Sequence, residues 1–254
     1  MISSGVKAAW YVYGVVPADA RLDALTDADG VASTRIQLVT EGAVAAIVCR
    51  VGLDEFAEEP LRRNLEDRAW LEQTASAHDR VLSGAVGVTP LVPLRFGTVF
   101  RDEAGVREML VEREAELRDA LERLGGHVEL GVKVFLVDPA RGEEAKPATG
   151  RDYLLQKQRS RDAASTVQAE ALEQVRALHE HLATLADGAH ANPPQPPELS
   201  GRREPMLLNA AYLVRSDEQP EFIAAAADHG DGRLEILVTG PWPAYNFVQA
   251  EEAE

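Results

Sequence analysis

From Ala8 to Val16 both alternating sets of positions, Trp10/Val12/Val16 and Tyr11/Tyr13/Val15, are apolar. A strand that is apolar on two faces is buried on two faces, so the pattern predicts a central strand. Pro17-Ala18-Asp19 ends it, and Arg21 to Leu25 has the makings of a short helix. Ile36–Thr40 and Val44–Val51 read as strands with Glu41-Gly42 between them, a hairpin spacing. Pro60 suits the first turn of a helical stretch. Leu71, Ala75, His78, Leu82 and Ala85 then recur at spacings of 4, 3, 4 and 3, one helix face closed by Gly84 and Gly87. Val88–Arg95 is extended, with Pro90 and Pro93 marking an edge or irregular strand. Asp102 is an N-cap and Gly125-Gly126 a stop for the next helix, whose inner side is Val106, Leu110, Leu117, Leu121 and Leu124.

The order to this point is β, short α, β, β, α, β and an extra helix, which matches a ferredoxin-like βαββαβ unit. A second unit begins near His127. Val128, Leu130, Val132, Val134 and Leu136 alternate with Glu129, Gly131 and Lys133, the clearest period-two strand of the chain. Asp138–Gly150 is a loop, and a long helix runs from about Arg151 to Asp187. Its stripe of Ala164, Val167, Ala171, Val175, Leu178, Leu182 and Leu185 can seat on a sheet or on a partner helix, and the shortness of the repeat favours the sheet. Homodimerisation through that helix stays open. Gly188–Pro205 reads as a loop, its Pro193-Pro194-Gln195-Pro196-Pro197 run as a stiff surface connector in preference to a polyproline ligand. Met206–Arg215 is a strand, Pro220–His229 a helix and Leu234–Thr239 a strand. Together these patterns predict an α+β chain of two domains.

Charge narrows the function classes. Lys+Arg is 26 and Asp+Glu 42 in 254 residues, a net charge of −16. Phosphate contacts need a positive surface, so the excess opposes general nucleic-acid binding and docking on anionic lipid. A single cysteine, Cys49, excludes an internal disulfide framework and a multi-cysteine zinc or iron–sulfur site. The longest purely apolar run, Ala43–Cys49, is far shorter than the roughly 20 residues of a spanning helix. The start, Met1-Ile2-Ser3-Ser4-Gly5-Val6-Lys7, lacks a basic region followed by a long apolar stretch. A soluble, cytoplasmic protein is expected.

Reaction chemistry is hard to find. His179-Glu180-His181-Leu182-Ala183 starts like a zinc-protease motif but ends in alanine, and the two histidines point to opposite sides of a helix. No Gly-Lys-Ser/Thr, no G-x-G-x-x-G after a strand and no G-x-S-x-G occurs. Cys49 sits among apolar neighbours and reads as an inert buried thiol. His78 lies on the apolar stripe of its helix and reads as a hydrogen-bonded core or interface histidine. No catalytic, cofactor-binding or metal-ligating set is assigned. On this ground a binding or assembly role outranks an enzyme.

Two segments are more specific. One is Pro93-Leu94-Arg95-Phe96-Gly97-Thr98-Val99-Phe100, preceded by His78-Asp79-Arg80-Val81-Leu82; the other is Thr239-Gly240-Pro241-Trp242-Pro243-Ala244-Tyr245-Asn246-Phe247. With the opening Tyr11-Val12-Tyr13-Gly14-Val15-Val16, with Gly131-Val132-Lys133-Val134, and with Gly150-Arg151-Asp152-Tyr153-Leu154-Leu155, the chain resembles the gas vesicle protein F/L family from about residue 8 to 248.

That resemblance implies an N-terminal ferredoxin-like domain with an extra helix over 1–126. It implies a second, modified ferredoxin-like α+β domain with a long helix over 127–239, and an extended aromatic and proline-rich tail over 240–254 that packs near the domain junction. It implies a non-enzymatic accessory or minor structural protein of gas vesicle assembly, with the hydrophobic shell protein and other accessory proteins as partners, located in the cytoplasm and at the vesicle. A generic ferredoxin-like scaffold or regulatory module is the alternative, and a small-molecule enzyme with a site near His78 and Arg95 is third. The residues expected to bind a partner or to fix the domain junction are His78, Arg95, Phe96, Gly97, Thr98, Pro241, Trp242, Pro243, Tyr245 and Phe247. Arg95 to Thr98 should turn the chain out of a strand, and Trp242, Tyr245 and Phe247 should pack back as buried aromatics.

Overall fold

The computed structural model describes residues 8–22, 25, 29–137, 150–230 and 232–248, with backbone alone over 150–165. The strands and helices are β1 (Ala8–Pro17), β2 (Ile36–Glu41), β3 (Val44–Gly52), α1 (Leu53–Phe56), α2 (Glu58–Asn64), α3 (Arg68–Ala85), β4 (Val92–Pro93), β5 (Val99–Phe100), α4 (Glu103–Glu112), α5 (Glu114–Leu124), β6 (His127–Leu136), α6 (Gly150–Thr184), β7 (Gly188–Ala191), α7 (Pro197–Ser200), β8 (Met206–Arg215), α8 (Gln219–Ala227) and β9 (Leu234–Trp242). The described residues of Met1–Glu129 and Pro241–Glu254 form one compact unit, and those of Leu130–Gly240 form the other.

In the first unit the sheet order is β2-β3-β1-β4, with β5 also paired to β1 and every pairing antiparallel. The order second–third–first–fourth is that of a ferredoxin-like sheet. β1 is central, as its two apolar faces require. Its parity changes within the strand, however. The register against β3 passes from Val12↔Val48 to Gly14↔Ile47, so Tyr13 is the extra residue of a bulge. One inserted residue moves everything beyond it to the other face, and Val16 therefore joins Tyr11 and Tyr13 in the core cluster. Gly14 lets β4 approach: a Cβ there would stand 2.8 Å from the Val92 carbonyl oxygen. The helix expected at Arg21–Leu25 lies partly outside the described residues, and Leu25 is helical.

Two further expectations for this unit change. Of the extended segment Val88–Arg95 only Val92–Pro93 pairs with β1. A proline has no N–H for a ladder, and Pro90 and Pro93 confine pairing to that short stretch. The single helix expected from Asp102 to Leu124 is two helices, broken at Arg113 with φ −109° and ψ 12°. The break brings Glu114 to the β2–β3 hairpin, where its Oε1 accepts the Ala43 N–H at 3.0 Å. All five predicted inner residues stay buried across it. The sequence carries no proline or glycine to announce the break.

In the second unit the sheet order is β7-β8-β6-β9, again second–third–first–fourth, with β7 and β8 antiparallel. The two units thus share one topology. The stripe on α6 packs on β8 and α8 through Ala171, Val175, Leu178 and Leu182, all buried, so it seats on a sheet. The segment Gly188–Pro205 is not wholly a loop, because Gly188–Ala191 pairs with Leu213–Ala210 and Pro197–Ser200 forms a helical turn. Three small residues and His190 give no hydrophobic signal; main-chain pairing makes that strand. β9 extends past Thr239 through Pro241 to Trp242, which an edge position permits. The predicted loop Asp138–Gly150 lies outside the described residues apart from Gly150.

Candidate functional site

The two predicted motifs meet in the first unit. Tyr11 and Tyr13, two apart on β1, direct their side chains into the core and bracket His78 from α3. The Tyr13 and His78 rings stack at 5.4 Å and 25°, and Tyr11 meets the imidazole edge-on at 5.7 Å. The Tyr11 hydroxyl lies 2.9 Å from His78 Nδ1 and accepts the Gly97 N–H at 3.1 Å. His78 Nε2 lies 2.8 Å from the Tyr245 hydroxyl. These bonds assign the tautomer. The Tyr11 hydroxyl is buried, the amide of Gly97 can only donate to it, and its own proton therefore goes to Nδ1. His78 consequently carries its proton on Nε2 and donates it to Tyr245.

Burial explains the electrostatics. His78 is 1% exposed, and desolvation lowers its pKa to about 4. The same cause pushes the hydroxyls of Tyr11, Tyr13 and Tyr245 well above the ordinary phenol range. All are neutral at physiological pH. Tyr13 accepts the Val31 N–H at 2.7 Å and sits 3.1 Å from Cys49 Sγ. Gly30 allows that approach, since a Cβ there would fall 2.4 Å from the Tyr13 hydroxyl.

Arg95 to Thr98 form a closed turn. The Thr98 N–H and hydroxyl both donate to the Arg95 carbonyl, at 3.2 and 2.7 Å. Gly97 has φ +83°, a value that suits glycine. The turn departs from β1 at Leu94, whose N–H donates to Tyr13, and rejoins it at Thr98, whose carbonyl accepts the Val12 N–H. Phe96 sets its ring at 5.5 Å from that of His78, edge to face. Arg95 is exposed.

The chain beyond β9 is clamped at three points. Besides Tyr245 on His78, Glu129 accepts both the Asn246 N–H (2.9 Å) and its side-chain amide (2.7 Å). Arg123 donates to the carbonyls of Phe247 and Val248 at 3.1 and 2.9 Å. Pro243, Ala244 and Phe247 are buried, whereas Tyr245 is 39% exposed and Trp242 43%. Trp242 and Tyr245 thus differ from the buried aromatics expected, Phe247 alone being buried, and Pro241 is exposed too. His78, Phe96, Gly97 and Tyr245 come together; Pro241 and Trp242 stand apart from them. Sequence reasoning missed Tyr11, Arg123 and Glu129. Glu129 stood on the non-apolar face of a period-two strand, with Gly131 and Lys133, so nothing in the pattern announced its burial to 7% exposure.

A groove of about 510 Å³ runs beside the clamp. Pro93, Leu94, Phe100, Met109 and Val248 give it apolar walls, Thr98, Asn246 and the Tyr245 hydroxyl a polar side, and Arg95 and Arg113 positive charge. The imidazole offers it no free nitrogen, because tyrosines engage both. The arrangement suits holding a chain segment.

Fold and site define a class: two units of ferredoxin-like topology, the first closed by the chain's own C-terminal segment, with no metal-binding cluster among the described residues. The family described as "Gas vesicle synthesis protein GvpL/GvpF" matches residues 9–249. The chain belongs to this family of gas vesicle proteins. Gas vesicle protein L of Streptomyces sp. (strain CB03234) is 37% identical, covering 96% of this chain and 94% of its own. Gas vesicle protein F2 of Halobacterium salinarum is 28% identical over 96% and 95%. The crystal structure of GvpF from Anabaena sp. PCC7120 shares the fold, with a TM-score of 0.70 over 97% of this chain and 98% of that one at 21% identity. No helix among the described residues is long and apolar enough to cross a membrane.

Proposed function

We propose that this chain is a non-enzymatic assembly factor that binds the hydrophobic gas vesicle shell protein, and other accessory proteins, in the cytoplasm and at the growing vesicle. A shell subunit must hide apolar surface until it is incorporated, or it aggregates. An acidic carrier whose groove has apolar walls does this while its charge opposes self-association. One observation carries the reading: both family motifs, far apart in sequence, line a single groove of mixed apolar and cationic character.

The test is co-purification of the shell protein with the full chain and with Leu94→Asp, Met109→Asp and Arg95→Glu variants. These side chains are half-buried or exposed, so the fold should survive, with melting temperatures close to wild type. Loss of the shell protein from the variants alone is expected. Equal recovery by all of them would place the docking surface elsewhere, and a deletion strain with normal buoyant vesicles would remove the role altogether.

A further inference from the structure

The hydrogen bonds around His78 run one way. An amide N–H only donates, so the series begins at Gly97, whose N–H the Tyr11 hydroxyl accepts at 3.1 Å. That hydroxyl gives its proton to Nδ1 at 2.9 Å, and the Nε2–H donates to the Tyr245 oxygen at 2.8 Å. Tyr245 therefore accepts from inside the fold and keeps its own proton to donate. His78 is the only hydrogen-bond partner of its hydroxyl among the described residues. The carboxylates nearby are not its acceptors: Asp79 and Glu129 act on it through space, and Glu129 holds Asn246. Each bond in such a series polarises the next, which strengthens the last donor.

Tyr245 lines the groove of about 510 Å³, and so does Arg95. Arg95 is exposed, and its guanidinium has no hydrogen bond or ion pair among the described residues. Arg113, the other cation of the groove, is engaged: its Nε and Nη2 donate to Glu116 at 3.0 and 2.6 Å. Among the described residues no carboxylate lines this groove, on a chain with 42 acidic residues against 26 basic ones. The groove is thus a positive patch with apolar walls on an acidic protein.

We propose that the groove takes a partner segment that sets a carboxylate between apolar side chains. This rests on the reading that the groove holds a partner's chain, and it adds the chemistry that the chain presents. A carboxylate has acceptor capacity for the Tyr245 hydroxyl and the Arg95 guanidinium at once. Its apolar neighbours lie on Leu94, Phe100 and Met109. A neutral amide takes the tyrosine's proton but brings no counter-charge to Arg95, and a basic side chain meets Arg95 as a like charge. The acidic remainder of the chain repels such a segment, which confines it to this groove.

The experiment is an amide NMR titration of the full chain with acetyl-Leu-Glu-Leu-amide, against acetyl-Leu-Gln-Leu-amide as its neutral isostere. The glutamate probe should shift the amides of Arg95, Thr98 and Asn246 and saturate. The glutamine probe should bind about tenfold more weakly. Arg95→Gln should cost the glutamate probe about fivefold and Tyr245→Phe about threefold, with the glutamine probe little changed by Arg95→Gln. Raising salt from about 50 to about 500 mM should weaken the glutamate probe alone severalfold. Equal binding of the two probes, undiminished binding by either variant, or no shift up to the probe's solubility would overturn the proposal. So would a Glu251→Gln/Glu252→Gln/Glu254→Gln variant that binds the glutamate probe roughly tenfold tighter, since the chain's own acidic end would then be the occupant. Loss of the shell protein from Leu94→Asp and Met109→Asp with equal binding of the two probes would overturn the carboxylate and leave shell-protein docking standing. Retention of the shell protein with a preferred glutamate probe would do the reverse.

Discussion

His78 Nε2 and the Tyr245 hydroxyl stand 2.8 Å apart across 167 positions of the chain. Their bond carries a relay that starts at the Gly97 N–H, passes through the Tyr11 hydroxyl and the imidazole, and ends on the C-terminal segment. The central strand, the Arg95–Thr98 turn, α3 and that segment are thereby held by one connected set of groups. Removing its last member, Tyr245→Phe, deletes one neutral hydrogen bond at a partly exposed position. The expected cost is about 1 kcal/mol, a fall of roughly 2–4 °C in melting temperature for a chain of this size, read by calorimetry.

Glu129→Ala should cost more, about 1–3 kcal/mol, because it strips partners from both the Asn246 N–H and its side-chain amide. Amide exchange separates this effect from a general loss of stability. The amides of Asn246 and Phe247 should lose protection, while those of β1 and β3 keep theirs.

The buried imidazole makes stability depend on pH. His78 titrates at about 4 in the folded chain and near 6.5 when unfolded, so the unfolded state binds the extra proton between those values. Stability is full above about pH 6.5 and declines as pH falls toward 4, by up to about 3 kcal/mol from this group. Asp79 acts oppositely: burial raises its carboxyl pKa, so its effect weakens the fold as pH rises above the usual carboxylate value. Subtracting the denaturation profile of His78→Gln, which keeps Asp79, isolates the histidine. A difference that does not slope between pH 4 and 6.5 would contradict this assignment.

Two glycine substitutions should differ for different reasons. At Gly97 the backbone is left-handed but the space is open, the nearest atom being a flexible leucine end at 3.5 Å; Gly97→Ala should cost about 1 kcal/mol. At Gly30 the backbone is ordinary, with φ −83°, but a Cβ would meet the Tyr13 hydroxyl at 2.4 Å and Ile36 at 2.5 Å. Gly30→Ala should cost about 1–3 kcal/mol, and chemical denaturation of both variants gives the ranking.

Cys49 is fully buried beside Tyr13, and burial pushes its thiol pKa up. A thiol reagent should leave the native chain unmodified and react at once in denaturant. Fast labelling under native conditions would mean that the β1–β3 core opens locally.

Much of this was legible in the residues. β1 announced its central place by being apolar on both faces, the β2–β3 hairpin by its spacing, and α3 and α6 by their stripes. The motif residues around Arg95 and Tyr245 were legible too, as a resemblance. The break at Arg113 was not, because no proline or glycine marks it and the bond that goes with it, Glu114 to Ala43, joins distant segments. β7 was not, because Gly188, Ala189, His190 and Ala191 carry no hydrophobic pattern and main-chain pairing with β8 makes it. Trp242 was misjudged by its type alone: an aromatic side chain gains by burial, but only where the fold offers a surface.

The sequence by itself determined which faces of each strand and helix are apolar, the −16 charge that opposes nucleic acid and anionic lipid, and the family likeness. Those are local or summed properties, readable over a few residues or over the whole composition. Tertiary structure decided the strand order, the bulge at Tyr13 that brings Val16 into the core, and the meeting of His78 with Tyr245 and of Glu129 with Asn246. Each of these depends on main-chain pairing and loop closure between distant segments. Such choices are settled by the free energy of the whole fold, and no short stretch of residues encodes them.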